Sequence, residues 1–153
     1  MGVKMNYIVK RTTSEDVDFK FLEKQLDDEL FEIYGDMQSN YSSHNTVIDL
    51  KTIIIFVDQK PIGCGCLKFL DCDLAEVKRV YVSLEYRNRG VAKIIVKEIE
   101  KLAIESNIKN IILQTGSRQK AAVSLYESMG YKLTENYGPY INDSNSICMK
   151  KIV

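Results

Sequence analysis

The sequence predicts a mixed α/β domain, a sheet of mixed direction with helices on its faces, and three observations carry that reading. Hydrophobic periodicity switches between strand-like and helix-like stretches in the order β, α, three strands, α, β, α, β, β. Residues 78–102, KRVYVSLEYRNRGVAKIIVKEIEKL, pass from an apolar strand through a basic, glycine-bearing loop straight into an amphipathic helix. Residues 108–114 form a β-branched run without alternation, which suits a strand covered on both faces beside parallel neighbours. At 153 residues there is room for one substantial core, so the chain is expected to be a single domain over residues 1–153.

In chain order, residues 5–12 read as a first strand around Tyr7 and Val9, and residues 13–16 offer a helix N-cap. Phe19, Leu22, Leu26, Leu30 and Ile33 recur at spacings of three and four, so residues 16–34 make one amphipathic helix or two short ones. The other face is acidic and is expected to be solvated. Gly35 ends it, and the polar segment 36–49, with Tyr41, His44 and Asn45, reads as a loop on the functional side. Residues 51–57 and 62–70 form a hairpin across a turn at 58–61. A third meander strand follows at 74–82, where the apolar phase slips: Val77 is odd, Val80 and Val82 are even. A bulge near Lys78 and Arg79 produces such a slip, and so does irregular burial.

Residues 90–106 form a helix with Val91, Ala92, Ile95, Val96, Ile99, Leu102 and Ala103 on one stripe and Lys93, Lys97, Glu100 and Lys101 off it. After the 108–114 strand, residues 117–129 are another amphipathic helix, closed by Gly130. Residues 131–137 and 146–152 end the chain as two strands around Gly138, Pro139 and Tyr140.

Lys plus Arg equals Asp plus Glu, so bulk charge gives no reason to expect a nucleic-acid partner. No apolar run is long enough for a bilayer, and the N-terminus has neither a signal core nor Ser or Thr at Asn6 for myristoylation. A cytoplasmic protein without membrane attachment is expected. Cys64, Cys66, Cys72 and Cys148 read as reduced, partly buried small hydrophobes. A zinc site would need CxxC-type pairs or more histidine than His44 alone, so no metal is expected.

The 87–92 loop places Arg87 and Arg89 beside Gly90 where a helix begins. Backbone N–H groups, helix dipole and fixed charge converge there on one anion site, suited to phosphate. A P-loop would need Gly-Lys-Ser/Thr, whereas Val91 and Ala92 follow Gly90, and there is no GxGxxG. What remains is Arg-x-x-Gly-x-Ala, preceded by Glu76-Val77-Lys78-Arg79-Val80-Tyr81-Val82. A second block, QKAAVSLYESMGY, runs from Gln119 to Tyr131. On these two blocks the chain resembles the GCN5-related N-acetyltransferases, the GNAT family. That family's loop reads Gln/Arg-x-x-Gly-x-Gly/Ala, and its later segment Asn-x-x-Ala-x-x-Leu-Tyr-x-x-x-Gly-Phe. Gln119 stands where the family usually has Asn, and Tyr131 where it usually has Phe. The ending, with Tyr137-Gly138-Pro139-Tyr140 and Cys148-Met149-Lys150, resembles a bacterial branch whose substrates are mostly unassigned.

The resemblance implies a mostly antiparallel sheet with one splayed strand pair, and acetyl-CoA as co-substrate without a metal. It implies that the pyrophosphate is held by N–H groups of Asn88, Arg89, Gly90, Val91, Ala92 and Lys93 and by the side chains of Arg87 and Arg89. The pantetheine arm would pair with Val80, Tyr81 and Val82, with Gln114 and Gln119 also on the cofactor side and Val80 N–H as donor to the acetyl carbonyl. Glu76, eleven positions before Arg87, takes the place of a general base, directly or through water. Tyr126 takes that of the general acid for the departing thiolate. Transfer is direct in this family, so Cys148 is not needed as a nucleophile. The acceptor side would involve Tyr34, Tyr41, Asn45 and Tyr140, whose polar and aromatic character suits a small molecule or peptide bearing a primary amine. Family members often pair through their final strands, so a homodimer is among the implied partners. The function expected is acetyl-CoA-dependent N-acetylation, with a non-catalytic acyl-CoA-binding or sensing module as the alternative.

Overall fold

Elements follow the chain as β1 (Tyr7–Thr13), α1 (Val17–Tyr34), β2 (Lys51–Val57), β3 (Lys60–Phe69), β4 (Leu74–Val82), α2 (Val91–Glu105), β5 (Asn110–Gly116), α3 (Lys120–Ser128), β6 (Lys132–Thr134) and β7 (Ser146–Ile152). This is a computed structural model, and it describes residues 5–35 and 50–153. One seven-stranded sheet has the order β1-β2-β3-β4-β5-β7-β6. Every neighbouring pair is antiparallel except β4 with β5. Among the described residues no helix is long and apolar enough to cross a membrane.

Helix α1 is continuous, capped by Asp16, whose side chain accepts from Asp18 N–H at 2.9 Å. Its apolar stripe, Phe19, Leu22 and Leu26, packs on Ile54, Cys64, Cys66 and Tyr81 of one sheet face. Alternation along the strands turns Ile53, Ile55, Leu67 and Val77 to the other face, where α2 lays down Ile95, Val96, Ile99 and Ala103. The approach of α2 is close. A Cβ at Gly65 would meet Ile95 Cγ2 at 2.7 Å and Ile99 Cδ1 at 2.8 Å, so glycine is required there.

The phase slip in the third meander strand is a bulge. Cys64 pairs with Tyr81 and Cys66 with Lys78, so Gly65 alone stands opposite both Arg79 and Val80. Arg79 takes the left-handed conformation, φ 58°. Past that point β4 stays with β3 and leaves β5: the parallel register runs only from Leu74 with Asn110 to Val77 with Leu113. Strand β5 continues to Gly116 in the company of β7. The two central strands therefore splay apart, opening a cleft between Val80 and Gln114.

Three expectations need correction. The acidic face of α1 is not simply solvated: Glu23 and Asp27 pair with Arg79, and Glu29 with Arg87. Glu100, placed off the apolar stripe of α2, is buried, because Tyr131 Oη donates to it at 2.8 Å and Lys151 Nζ at 3.0 Å. The strand expected at 131–137 contracts to Lys132–Thr134. Beyond it, Asn136 Nδ2 donates to the carbonyls of Tyr140, Asp143 and Ser146, which commits the backbone to a folded loop instead of a ladder. Of the cysteines, Cys64, Cys66 and Cys148 are buried and Cys72 is exposed, all as free thiols.

Candidate active site

The cleft at the splay is lined by Glu76, Val77, Lys78, Arg79 and Val80 from β4 and by Gln114 and Thr115 from β5. Gln119, Ala122 and Tyr126 line it from the α3 side, Leu26 and Leu30 from α1, and Tyr140 closes one end. It encloses about 620 Å³, including its open mouth. Strand divergence makes the opening, and sheet and helix residues form most of the described walls, with Tyr140 of the segment between β6 and β7 at one end.

Glu76 lies almost wholly buried on the β4 wall. Its Oε2 accepts from Tyr137 Oη at 2.6 Å, and its Oε1 lies 3.5 Å from Lys78 Nζ. Burial lowers the Lys78 pKa; the Glu76 charge opposes this, while Lys68 and Arg79 add to it. On the opposite wall Tyr126 is buried, its ring edge-on to Tyr131 at 5.6 Å between centroids. Burial pushes its hydroxyl above the ordinary tyrosine range, so at neutral pH it is a proton donor. Burial likewise raises Cys148, which holds that thiol protonated at neutral pH.

From the cleft, β4 leads through Tyr81 and Val82 and a short 3₁₀ turn to the 87–90 loop. Asn88 and Gly90 both adopt positive φ, 63° and 80°, which swings the chain into α2. Gly90 precedes the helix with no side-chain cap, and the first backbone bond is Ile94 N–H to Gly90 O at 3.2 Å. The N–H groups of Val91, Ala92 and Lys93 thus lie ahead of the helical ladder. Arg89 is exposed, its guanidinium stacked on Tyr86 at 5.6 Å. Arg87 is engaged inward: Nε donates to Val82 O at 2.9 Å, the guanidinium lies over Tyr81, and the other end pairs with Glu29 of α1.

The residues expected on the cofactor side fall into two groups. Val80, Gln114 and Gln119 line the cleft, and Tyr81, Val82, Arg87, Asn88, Arg89, Gly90, Val91, Ala92 and Lys93 continue from it toward the start of α2. The Gln119 side chain also closes its own turn, accepting from Gly116 N–H at 3.0 Å. Tyr140 lines the cleft, but Tyr34 does not. Its hydroxyl accepts from Arg118 N–H at 3.4 Å and its ring sits under the Arg118 guanidinium. Tyr41 and Asn45 lie outside the described residues. Lys78 and Tyr137 stand in stretches that carry the resemblance but receive no role at the site from the sequence, since the Tyr137 contact with Glu76 spans 61 positions.

The description Acetyltransferase (GNAT) family fits residues 14–131 of the chain. The chain belongs to the GNAT acetyltransferase family. Among relatives, an uncharacterized N-acetyltransferase of Bacillus subtilis (strain 168) is 36% identical over 58% of this chain and 60% of its own length. An IAA acetyltransferase of Azospirillum brasilense is 29% identical over 83% of this chain and 88% of its own. The chain spans less than two thirds of the length of several of the relatives it matches. A GNAT family acetyltransferase from Elizabethkingia anophelis, solved with acetyl-CoA bound, superposes with a TM-score of 0.72 at 17% identity over 98% of this chain and all of that one. That likeness is one of fold.

Proposed function

We propose that this protein is an acetyl-CoA-dependent N-acetyltransferase that passes the acetyl group directly to a primary amine of a small molecule or peptide. The observation that carries the reading is the splay between β4 and β5, whose walls bring Glu76 and Tyr126 to one cleft. The residues present fit an acyl-CoA. A strand that has lost its neighbour offers backbone groups to an amide-bearing arm at Val80, Tyr81 and Val82. The uncapped start of α2, with Arg89 beside it, suits a pyrophosphate at residues 88–93. Arg87 would join it by exchanging Glu29 for phosphate.

When bound, acetyl-CoA supplies the activated acyl carbon and a thiol leaving group. The chain supplies proton control and alignment. A lysine-like amine is protonated at pH 7, and freeing it costs about 4 to 5 kcal/mol. Glu76 takes that proton, directly or through a water; Tyr126 would give its own to the departing sulfur and regain one from the nitrogen as the amide forms. Val80 N–H, at the bulge, would donate to the acetyl carbonyl oxygen. No covalent enzyme intermediate is needed, in keeping with a Cys148 thiol held protonated.

The test is CoA-thiol release over a panel of polyamines, amino acids, aminoglycosides, peptides and IAA, the last because it is named in the Azospirillum relative. Release with at least one amine is expected. Binding of acetyl-CoA with no release across the panel would make the protein an acyl-CoA-binding module instead.

A further inference from the structure

Tyr137 has no part in the reaction as laid out above, yet it makes the shortest contact to its proposed base. The hydroxyl donates to Glu76 Oε2 at 2.6 Å, and Lys78 Nζ stands 3.5 Å from the other oxygen. A bond of that length to a carboxylate belongs to the strong, charge-assisted class. The segment bearing Tyr137 is fixed independently of it. Asn136 clamps three carbonyls of the 140–146 loop, and the Tyr137 ring meets Tyr140 edge-on at 5.7 Å. Ring packing therefore holds the residue in place, leaving the hydroxyl aimed at Glu76. Burial, and then the Glu76 charge, push the Tyr137 pKa far above the ordinary range, so the group remains a donor throughout the working pH.

We propose that Tyr137 is a positioning residue for Glu76: with Lys78 it fixes the carboxylate in one orientation on the cleft wall, where it can receive a proton. This rests on the reading of Glu76 as the base of an N-acetyltransferase. Each carboxylate oxygen has lone-pair capacity for more than one donor, so an acceptor N–H or a water still has room. The proton passes from the acceptor ammonium to Glu76 while Tyr137 keeps its own. Among the described residues, the titratable groups around Glu76 include Lys78 and Arg79 on β4, Lys68 opposite on β3, Cys148 on β7, Tyr126 of α3 across the cleft, and Tyr137, Tyr140 and Asp143 between β6 and β7. Strand β5 presents Ile112 alongside it, and α1 brings Leu26 and Leu30 to the cleft. Of all these, Tyr137 and Lys78 make the hydrogen bonds to the carboxylate.

Tyr137→Phe keeps the ring on Tyr140 and removes only the hydroxyl. The experiment is carboxyl-carbon NMR of glutamate-labelled protein without donor or acceptor, with the Glu76 signal assigned from Glu76→Gln. In Tyr137→Phe the Glu76 midpoint is expected to rise by about one pH unit, the effect of losing one hydrogen bond to a charged group. Difluorotyrosine at position 137, a stronger donor in the same ring, is expected to lower it, and decides the matter if the phenylalanine variant does not fold. An unmoved midpoint overturns the inference. With the amine found by thiol release, Tyr137→Phe should lower kcat about tenfold, hold both KM values within about twofold, and carry the acid limb of the rate profile upward with the midpoint. If the native protein turns over no amine, the N-acetyltransferase reading fails, whereas the NMR midpoint still decides the Tyr137–Glu76 coupling by itself.

Discussion

Tyr126 both lines the cleft and belongs to the core, where burial alone raises its pKa. As general acid it should be dispensable for binding. Tyr126→Phe is expected to lower kcat about 100-fold, the lower end for one proton-transfer group, with calorimetric affinity for CoA changed less than about threefold. Equal losses in both would make it a binding residue. Gly116 is constrained for a different reason: a Cβ there would fall 1.7 Å from Tyr34 Oη and 2.6 Å from its Cζ. Gly116→Ala should cost about 1 to 3 kcal/mol in urea unfolding, because the buried phenol has to move. At this scale the sequence carried what sits in local motifs. Glu76 and Tyr126 could be placed near one another because two short blocks flag them, whereas the Tyr137 hydroxyl and the Tyr34 packing depend on contacts 61 and more than 80 positions apart. An aromatic residue at the end of a helix reads the same whether it faces a cleft or, like Tyr34, plugs a turn.

Helix α1 links the cap chemistry of the chain's first third to the cleft. Burial works against the Asp16 charge, but the Lys10 ammonium, Asp18 N–H and the Thr12 hydroxyl outweigh it and hold the carboxyl below its ordinary value of 3.8. A lowered carboxyl contributes stability that is present above the unfolded value and fades as pH falls through the folded one. Asp16→Ala should therefore cost about 1 kcal/mol near neutrality, with the gap to the native protein narrowing once denaturation is measured below about pH 4. Farther along, Glu29 pairs with Arg87, and on the proposed reading it competes there with the CoA pyrophosphate. Glu29→Gln is expected to tighten CoA binding by about two- to fivefold in titration calorimetry, as an ion pair of surface strength stops competing. The phase slip of β4 was visible as a change in parity between Val77 and Val80, which left a bulge and irregular burial open, and the register opposite Gly65 decides for the bulge. The partners of the α1 acidic face were not, because charge spacing along a helix carries no information about which strand end passes over it.

At the scale of the whole molecule, the order of elements is readable from periodicity, but the insertion of β7 between β5 and β6 is not, since alternation fixes faces and leaves neighbours open. The splay follows from that arrangement: β7 holds β5 straight while the bulge keeps β4 with β3. Donor binding across the splay should then stabilise the sheet as a unit. Acetyl-CoA at about 100 times its Kd adds roughly 2.7 kcal/mol, which for a chain of this length raises Tm by about 5 to 11 °C. On the proposed reading acetyl-pantetheine would reach the β4 edge but lacks the pyrophosphate, so it separates the two halves of the site. Its thermal shift should be smaller and nearly independent of salt, whereas that of acetyl-CoA should shrink between low and high ionic strength as charges at the start of α2 are screened. If both shifts responded equally to salt, residues 87–93 would not be the phosphate grip, and the donor would be held by the splayed strand alone.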